Sequence, residues 1–367
     1  MSAVNIPSLD LDQAHTKDVI ERLYKYKQEY PKELRSKEYT LEDGQVWTSW
    51  TMRESVYKKK TSVFPTMARG FFTQEEKRVM ARGYDKFFNV FETSMTQWPA
   101  LASDTEGPYE VTAKENGCII FISVLSDEKV VVTSKHSIPS VKDDPKAHAG
   151  VGYRWLLTHL ASVEKSEKDL AQWLSKQDIT LVAELCDDEF EEHVLAYVEK
   201  DRGLYLHGAN YNRVDLHTIP SGTVRQLAED FGFHKTDYMV LETIEEVKQF
   251  SEDMQKTGLF RNREVEGAVV RCKRKGHDFM FKIKNERYLT FREYREVTNQ
   301  LIETQEGLIR FVDKPNLKIT YEKTRFYVDW LRKQVIANPD WFQQYKLQKG
   351  IIQVRLAFED YWEKGQL

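Results

Sequence analysis

TAKENGCIIF, residues 112–121, sets a lysine, an acid, an amide and a glycine against the start of an apolar run. Lys114 stands at the mouth of what reads as a buried strand, where an amine is partly desolvated and its pKa is expected to fall below the ~10.4 of a free lysine. Such an amine can be a nucleophile. The K-x-x-G pattern decides nothing alone, because it recurs at Lys200 and Lys273, and a strand-end lysine can equally snorkel to solvent.

Other charges sit in comparable settings. LVAELC places Glu184 amid apolar residues, EVEGAVVRC places Glu266 just before a glycine and another apolar strand, and FMFKIKN puts Lys282 and Lys284 on one face of a strand with period 2. Charges at buried edges are costly unless paired. Two carboxylates and three lysines so placed suit a nucleoside triphosphate and a divalent metal.

The 367 residues exceed one compact core, which predicts a large domain with a smaller one appended. With 41% hydrophobic and 31% charged residues, the composition fills a core and excludes wholesale disorder. A net charge of −4 gives no global field toward nucleic acid or membranes, so any phosphate site must be local. Residues 256–297 hold twelve Lys/Arg against six Asp/Glu, either a solvated basic face or such a site. Cys118, Cys186 and Cys272 are odd in number and lack C-x-x-C spacing, which argues against disulfides and a zinc site and for a reducing intracellular compartment, nucleus or cytoplasm. No apolar run approaches the ~18 residues of a membrane span, so no membrane partner is expected.

Val19, Leu23, Tyr26 and Tyr30 predict a helix ending before Pro31. QVWTSWTM, FPTMARGFF, GCIIFISVL, KVVVTSKH, TLVAELC, GLYLHGANY, EGAVVRC and DFMFKIKN read as strands, and residues 152–176, 221–231 and 243–256 as helices. From about Tyr294 the strand signature vanishes, and i, i+3, i+4, i+7 spacing predicts an all-helical C-terminal domain. The fold class is α+β, divided into residues 1–290, with an N-terminal helical extension, and 291–367.

KENG (114–117), AELCD (183–187), EGAVV (266–270) and FKIKN (281–285) resemble, in order and spacing, motifs I, III, IV and V of the covalent nucleotidyltransferases. MARGFF (67–72), ARGYDKFFNV (81–90) and TSKHS (133–137) resemble the RNA ligase branch shared by the phage enzyme. CDDEFEEHVLAY, GLYLHGANYN and RYLTFREYREVT are similar to the fungal tRNA ligase family. The resemblance spans roughly residues 45–300. It implies an ATP-grasp-like nucleotidyltransferase domain of antiparallel sheets flanked by helices.

The resemblance also implies a reaction. Lys114 would take AMP from ATP, pass it to an RNA 5′-phosphate, and the RNA 3′-hydroxyl would displace it. Glu266 would hold waters of Mg²⁺, or of Mn²⁺, and Glu184 a ribose hydroxyl or a metal-bound water. Lys282 and Lys284 would contact the α-phosphate, and Arg69 and Lys86 the β and γ phosphates. Glu115, Asn116 and Gly117 complete the nucleotide-binding motif, the glycine letting backbone approach the nucleotide. The fungal family joins ends bearing a 2′-phosphate, for which Arg292, Arg295 and His193 form a candidate clamp; the arginines can instead pair with Glu293 or Glu296. The partners implied are tRNA exon halves, with a part in stress-response mRNA splicing inherited from the resemblance alone. The chain has no G-x-x-x-x-G-K-[ST] loop and no pair of H-x-T motifs, so healing by kinase and cyclic phosphodiesterase domains is expected beyond this fragment or in trans. A GTP-using capping nucleotidyltransferase and a catalytically inactive RNA-binding relative are the alternatives.

Overall fold

The computed structural model describes residues 4–59, 64–74, 78–139, 144 and 146–365. Helix α1 (Gln13–Glu29) starts where Asp12 accepts the His15 N–H and buries Val19, Ile20 and Leu23 on one face. It leads into β1 (Leu34–Thr40), β2 (Val46–Met52), β3 (Phe71–Gln74) and β4 (Arg78–Arg82), an antiparallel sheet in chain order. Then come β5 (Phe88–Asn89), α2 (Trp98–Asp104), β6 (Thr105–Lys114), β7 (Cys118–Ser126) and β8 (Lys129–Thr133). Helices α3 (His148–Ser162) and α4 (Glu167–Gln177) precede β9 (Ile179–Cys186) and β10 (Gly203–Tyr211). Next are α5 (Ser221–Phe231), β11 (His234–Lys235), β12 (Tyr238–Leu241), α6 (Ile244–Thr257), β13 (Leu259–Phe260) and β14 (Arg263–Glu264). The hairpin β15 (Gly267–Arg274) and β16 (His277–Lys284) runs into α7 (Glu286–Leu301). The chain closes with β17 (Ile302–Gln305), β18 (Leu308–Phe311), α8 (Glu322–Ala337) and α9 (Ile351–Glu363).

A second sheet has the order β11-β10-β9-β7-β8 and a third β12-β6-β15-β16-β5, antiparallel except at β10–β11 and β16–β5. Period-2 side-chain alternation explains how they stack. Ile120, Ile122, Leu181 and Ala183 face α3, α4 and α5, whereas Phe121 and Val182 between them point into a core shared by all three sheets, with Trp47, Phe72, Val269 and Met280. On the third sheet Val111, Ala113, Ala268 and Val270 pack against Leu101 of α2 and Val247 and Met254 of α6. Phe121 is fully buried. Gly70, at φ +79°, makes room for it, since a Cβ there would lie 2.2 Å from the ring.

The expected α+β architecture is present, with instructive differences. Residues 152–176 form two helices, because Ser166 caps α4 through a reciprocal pair with Asp169. The C-terminal part is helical around Tyr294, Tyr327, Trp330 and Phe358, but it contains the hairpin β17–β18. Its turn residues Glu306 and Gly307 both have positive φ, which suits the twist of a two-residue connection. Helix α7 runs unbroken through the expected boundary at residue 290. Strand β1 escaped notice because it is a charged edge strand. Among the described residues no helix is long and apolar enough to cross a membrane, and the three cysteines are free.

Candidate active site

Lys114 ends β6 instead of preceding β7: residues 115–117 carry the chain from the third sheet to the second. Its backbone is fixed by its neighbour, since the Glu266 N–H donates to the Lys114 carbonyl at 2.9 Å. The turn is anchored by buried polar groups. The Glu115 carboxylate accepts from both Arg263 terminal nitrogens, at 2.9 and 2.5 Å, and from the Tyr197 hydroxyl at 2.7 Å. The Asn116 amide donates to Glu266 and Tyr288 and accepts from the Val194 and Leu195 N–H groups. These side chains hold the turn, and Glu115 also borders the first cavity described below. Gly117 borders the same cavity, and a Cβ there would lie 2.1 Å from the Leu185 carbonyl oxygen, so its lack of side chain also admits β9.

Lys114 Nζ lies 2.7 Å from Glu266 Oε1. Burial alone would lower the pKa of the amine, but Glu266 and Glu184 hold it above that of a free lysine, which reverses the expected direction. Burial likewise opposes ionisation of Glu184, yet His207 and Lys114 bring its pKa below the ordinary value. The two carboxylates expected from sequence therefore do converge on Lys114.

Lys114 lines two cavities. The first, of about 280 Å³, is walled by Arg69, Lys135 and Lys282 and floored by Thr112, Ala113, Val269 and Met280. Glu54 ties the cations at its edge, reaching Arg69 at 2.6 Å, Lys86 at 3.0 Å and Lys135 at 3.5 Å. Neither Glu54 nor Lys135 was singled out from sequence; the signal for Lys135 lay inside TSKHS. Burial, together with the charges of Lys114 and Lys86, lowers the Lys282 pKa to about 8. A polyphosphate would relieve this crowding of like charges.

Arg271 was also missed. Buried on β15, it donates to the Tyr84 hydroxyl at 2.9 Å and the His207 carbonyl at 2.6 Å, while its Nε and Nη1 have no partner. Tyr84 stacks on His207 at 5.7 Å between centroids. The three contribute aromatic and donor groups to the lining of the first cavity. An arginine at alternating spacing with Gly267 and Val269 in EGAVVRC was the readable sign.

The second cavity, about 360 Å³, is lined by Lys114, Glu266, Lys282, Lys284, Tyr288 and Arg292 among others. Lys284 faces this cavity only, whereas Lys282 borders both. Arg292 is exposed and pairs with Glu296 at 3.1 Å. Glu293 is unavailable to it, being bound to the Thr320 and Tyr321 N–H groups and the Thr324 hydroxyl. The charges of Arg292 and Arg295 are both felt at Tyr288, and those of His193 and Arg295 at Glu191. His193 lies 3.6 Å from Cys118 Sγ.

A family model described as RNA ligase matches residues 67–289. The chain is 41% identical over 339 residues to tRNA ligase 1 of Schizosaccharomyces pombe, covering 85% of this chain and 42% of that protein. It is 38% identical over 335 residues to tRNA ligase of Candida albicans, covering 84% and 40%. The chain thus spans about two-fifths of the length of the curated relatives it matches. It is also similar to a solved archaeal ATP-dependent RNA ligase, with a TM-score of 0.48 and 13% identity over 94% of this chain and 81% of the other.

Proposed function

The chain belongs to the RNA ligase family, and on that premise we propose that it seals RNA 3′-hydroxyl and 5′-phosphate ends with ATP, through an adenylate carried on Lys114. The observation that carries the reading is the Lys114–Glu266 pair at 2.7 Å on the rim shared by two cation-bordered cavities. One cavity suits the nucleotide and the other an RNA end.

In the first step the Lys114 ammonium releases a proton to water, the neutral Nζ forms a P–N bond to the α-phosphorus while the bond to pyrophosphate breaks, and a second N–H proton is released to water. Glu266 as it stands opposes this, because it stabilises the protonated amine. Glu266 and Glu184 offer the hard oxygen ligands that Mg²⁺ prefers, and Mg²⁺ bound there would offset their charge and favour the neutral amine. Arg69, Lys86 and Lys135 orient the departing pyrophosphate, and Lys282 and Lys284 neutralise the α-phosphate. AMP then passes from Lys114 to the RNA 5′-phosphate, and the 3′-hydroxyl expels it. An adenylyltransferase part (1–290) and a helical part (291–367), joined by α7, belong to this reading. So do nuclear or cytoplasmic work on tRNA exon halves and the supply of healed ends by kinase and cyclic phosphodiesterase domains.

The test is incubation with labelled ATP or GTP. ATP alone is expected to leave an acid-labile label; label from GTP would assign a capping-type reaction, and no label from either an inactive RNA-binding relative. Lys282 adds a pH signature. Its positive charge is present below about pH 8 and lost above it, so ATP affinity measured by calorimetry should fall between pH 7 and 9. Lys282→Arg should flatten that dependence, because arginine stays protonated.

Arg292, Arg295 and His193 are proposed to read a 2′-phosphate. Removing one charge-assisted phosphate contact costs about 1.5–3 kcal/mol, so Arg292→Ala or Arg295→Ala should reduce the preference for 2′-phosphate ends by about tenfold or more in competition ligation. Sealing of ends without that phosphate should change little. An unchanged preference in both variants removes the clamp.

A further inference from the structure

Cys118, the first residue of β7, meets His148 at the start of α3 and Glu191 from the segment after β9. One ligand atom from each lies within 4.8 Å of the others. His148 Nε2 is 2.8 Å from Glu191 Oε2, Cys118 Sγ is 3.9 Å from the same oxygen, and His193 Nε2 is 3.6 Å from Cys118 Sγ. All three residues of the triad are half-buried. None of them has a part in the ligation chemistry proposed above.

We propose that Cys118, His148 and Glu191 bind a zinc-class divalent cation, with the fourth position left to water. Tetrahedral zinc holds sulfur at about 2.3 Å and nitrogen or oxygen at about 2.0 Å, which sets neighbouring ligand atoms about 3.3–3.6 Å apart. The His148–Glu191 and Cys118–Glu191 distances fall within about half an ångström of that range, and the Cys118–His148 pair lies within 4.8 Å. The donor set disfavours a hard cation such as Mg²⁺: a thiolate and an imidazole select zinc over magnesium. The scaffold is held independently of any ion. Asp187 folds the segment by accepting the Glu189 and Phe190 N–H groups, the Trp155 indole fixes Asp187 at 2.8 Å, and Asn116 pins Val194 and Leu195. The C-x-x-C spacing that sequence reasoning sought was absent because these ligands come from three separate elements.

The cation would staple the start of β7, the start of α3 and the segment at 187–193 beside the turn that carries Lys114. The competing account is a His148–Glu191 ion pair beside a bystander thiol. Metal-stripped full chain titrated with Co²⁺, without ATP or RNA, separates the two. One equivalent should produce a thiolate-to-cobalt absorption, which zinc abolishes and about a thousandfold excess of Mg²⁺ does not. Cys118→Ser should remove the band while Cys272→Ser keeps it, and His148→Ala should weaken zinc binding by at least about tenfold. Zinc should raise the melting temperature of the wild type but not of Cys118→Ser. No saturable band in the wild type, or a band that survives Cys118→Ser, overturns the site. The readout requires no ligation, so its failure leaves the ligase reading untouched.

Discussion

Lys114→Ala should leave no acid-labile label after incubation with ATP, and sealing of 5′-phosphate RNA should fall by at least about 10⁴-fold, the scale of losing a covalent nucleophile. Glu266 would lose its partner at 2.7 Å in that variant, so Lys114→Arg is the companion: it preserves the charge facing Glu266 but cannot release a proton near neutrality. Both should fold and neither should label. An RNA supplied with its 5′-adenylate already attached bypasses the two steps that need the amine, so its sealing should fall far less than sealing with ATP. If both substrates lose activity equally, Lys114 serves to position charge and does not carry the nucleotide. If labelling persists in Lys114→Arg, another residue is the nucleophile.

The position of that lysine could be read because short motifs fix the backbone on which Lys114, Glu184 and Glu266 sit, and strand alternation brings them together. Its electrostatics could not. The sequence places the amine at a buried edge and so predicts a lowered pKa, but the sign depends on a 2.7 Å contact between residues 152 positions apart. The same limit explains the missed residues. Glu54 lies in a short 3₁₀ turn after β2, with no pattern of its own, yet it gathers Arg69, Lys86 and Lys135 from three segments. Strand β6 went unread because Gly107 and Pro108 break its pattern and Glu106 and Glu110 stand on the face away from Tyr109, Val111 and Ala113; Glu110 is accommodated by Ser221 at the start of α5. In the C-terminal part, helical periodicity on either side hid a hairpin whose only local sign was Glu306-Gly307.

Glu115 allows a role in stability to be measured separately from a role at the nucleotide. As part of KENG it is expected at the nucleotide and it does border the first cavity, while its carboxylate is buried and satisfied by Arg263 and Tyr197. Breaking a buried ion pair by removing one partner costs about 3–5 kcal/mol, because the other charge is left uncompensated. Arg263 is 37% exposed and can rehydrate, so Glu115→Ala should lose stability at the lower end, about 3 kcal/mol, in denaturant unfolding. Arg263→Ala strands the carboxylate, the more buried partner, and should cost at least as much. The double variant should cost less than the sum, the signature of direct coupling. Labelling by ATP per folded molecule should stay within a few-fold of wild type at low temperature, since Glu115 acts on the turn and not on the phosphates. The opposite pattern, unchanged stability with labelling lost, would return the Glu115 side chain to the nucleotide and require the Arg263 pair to open when ATP binds.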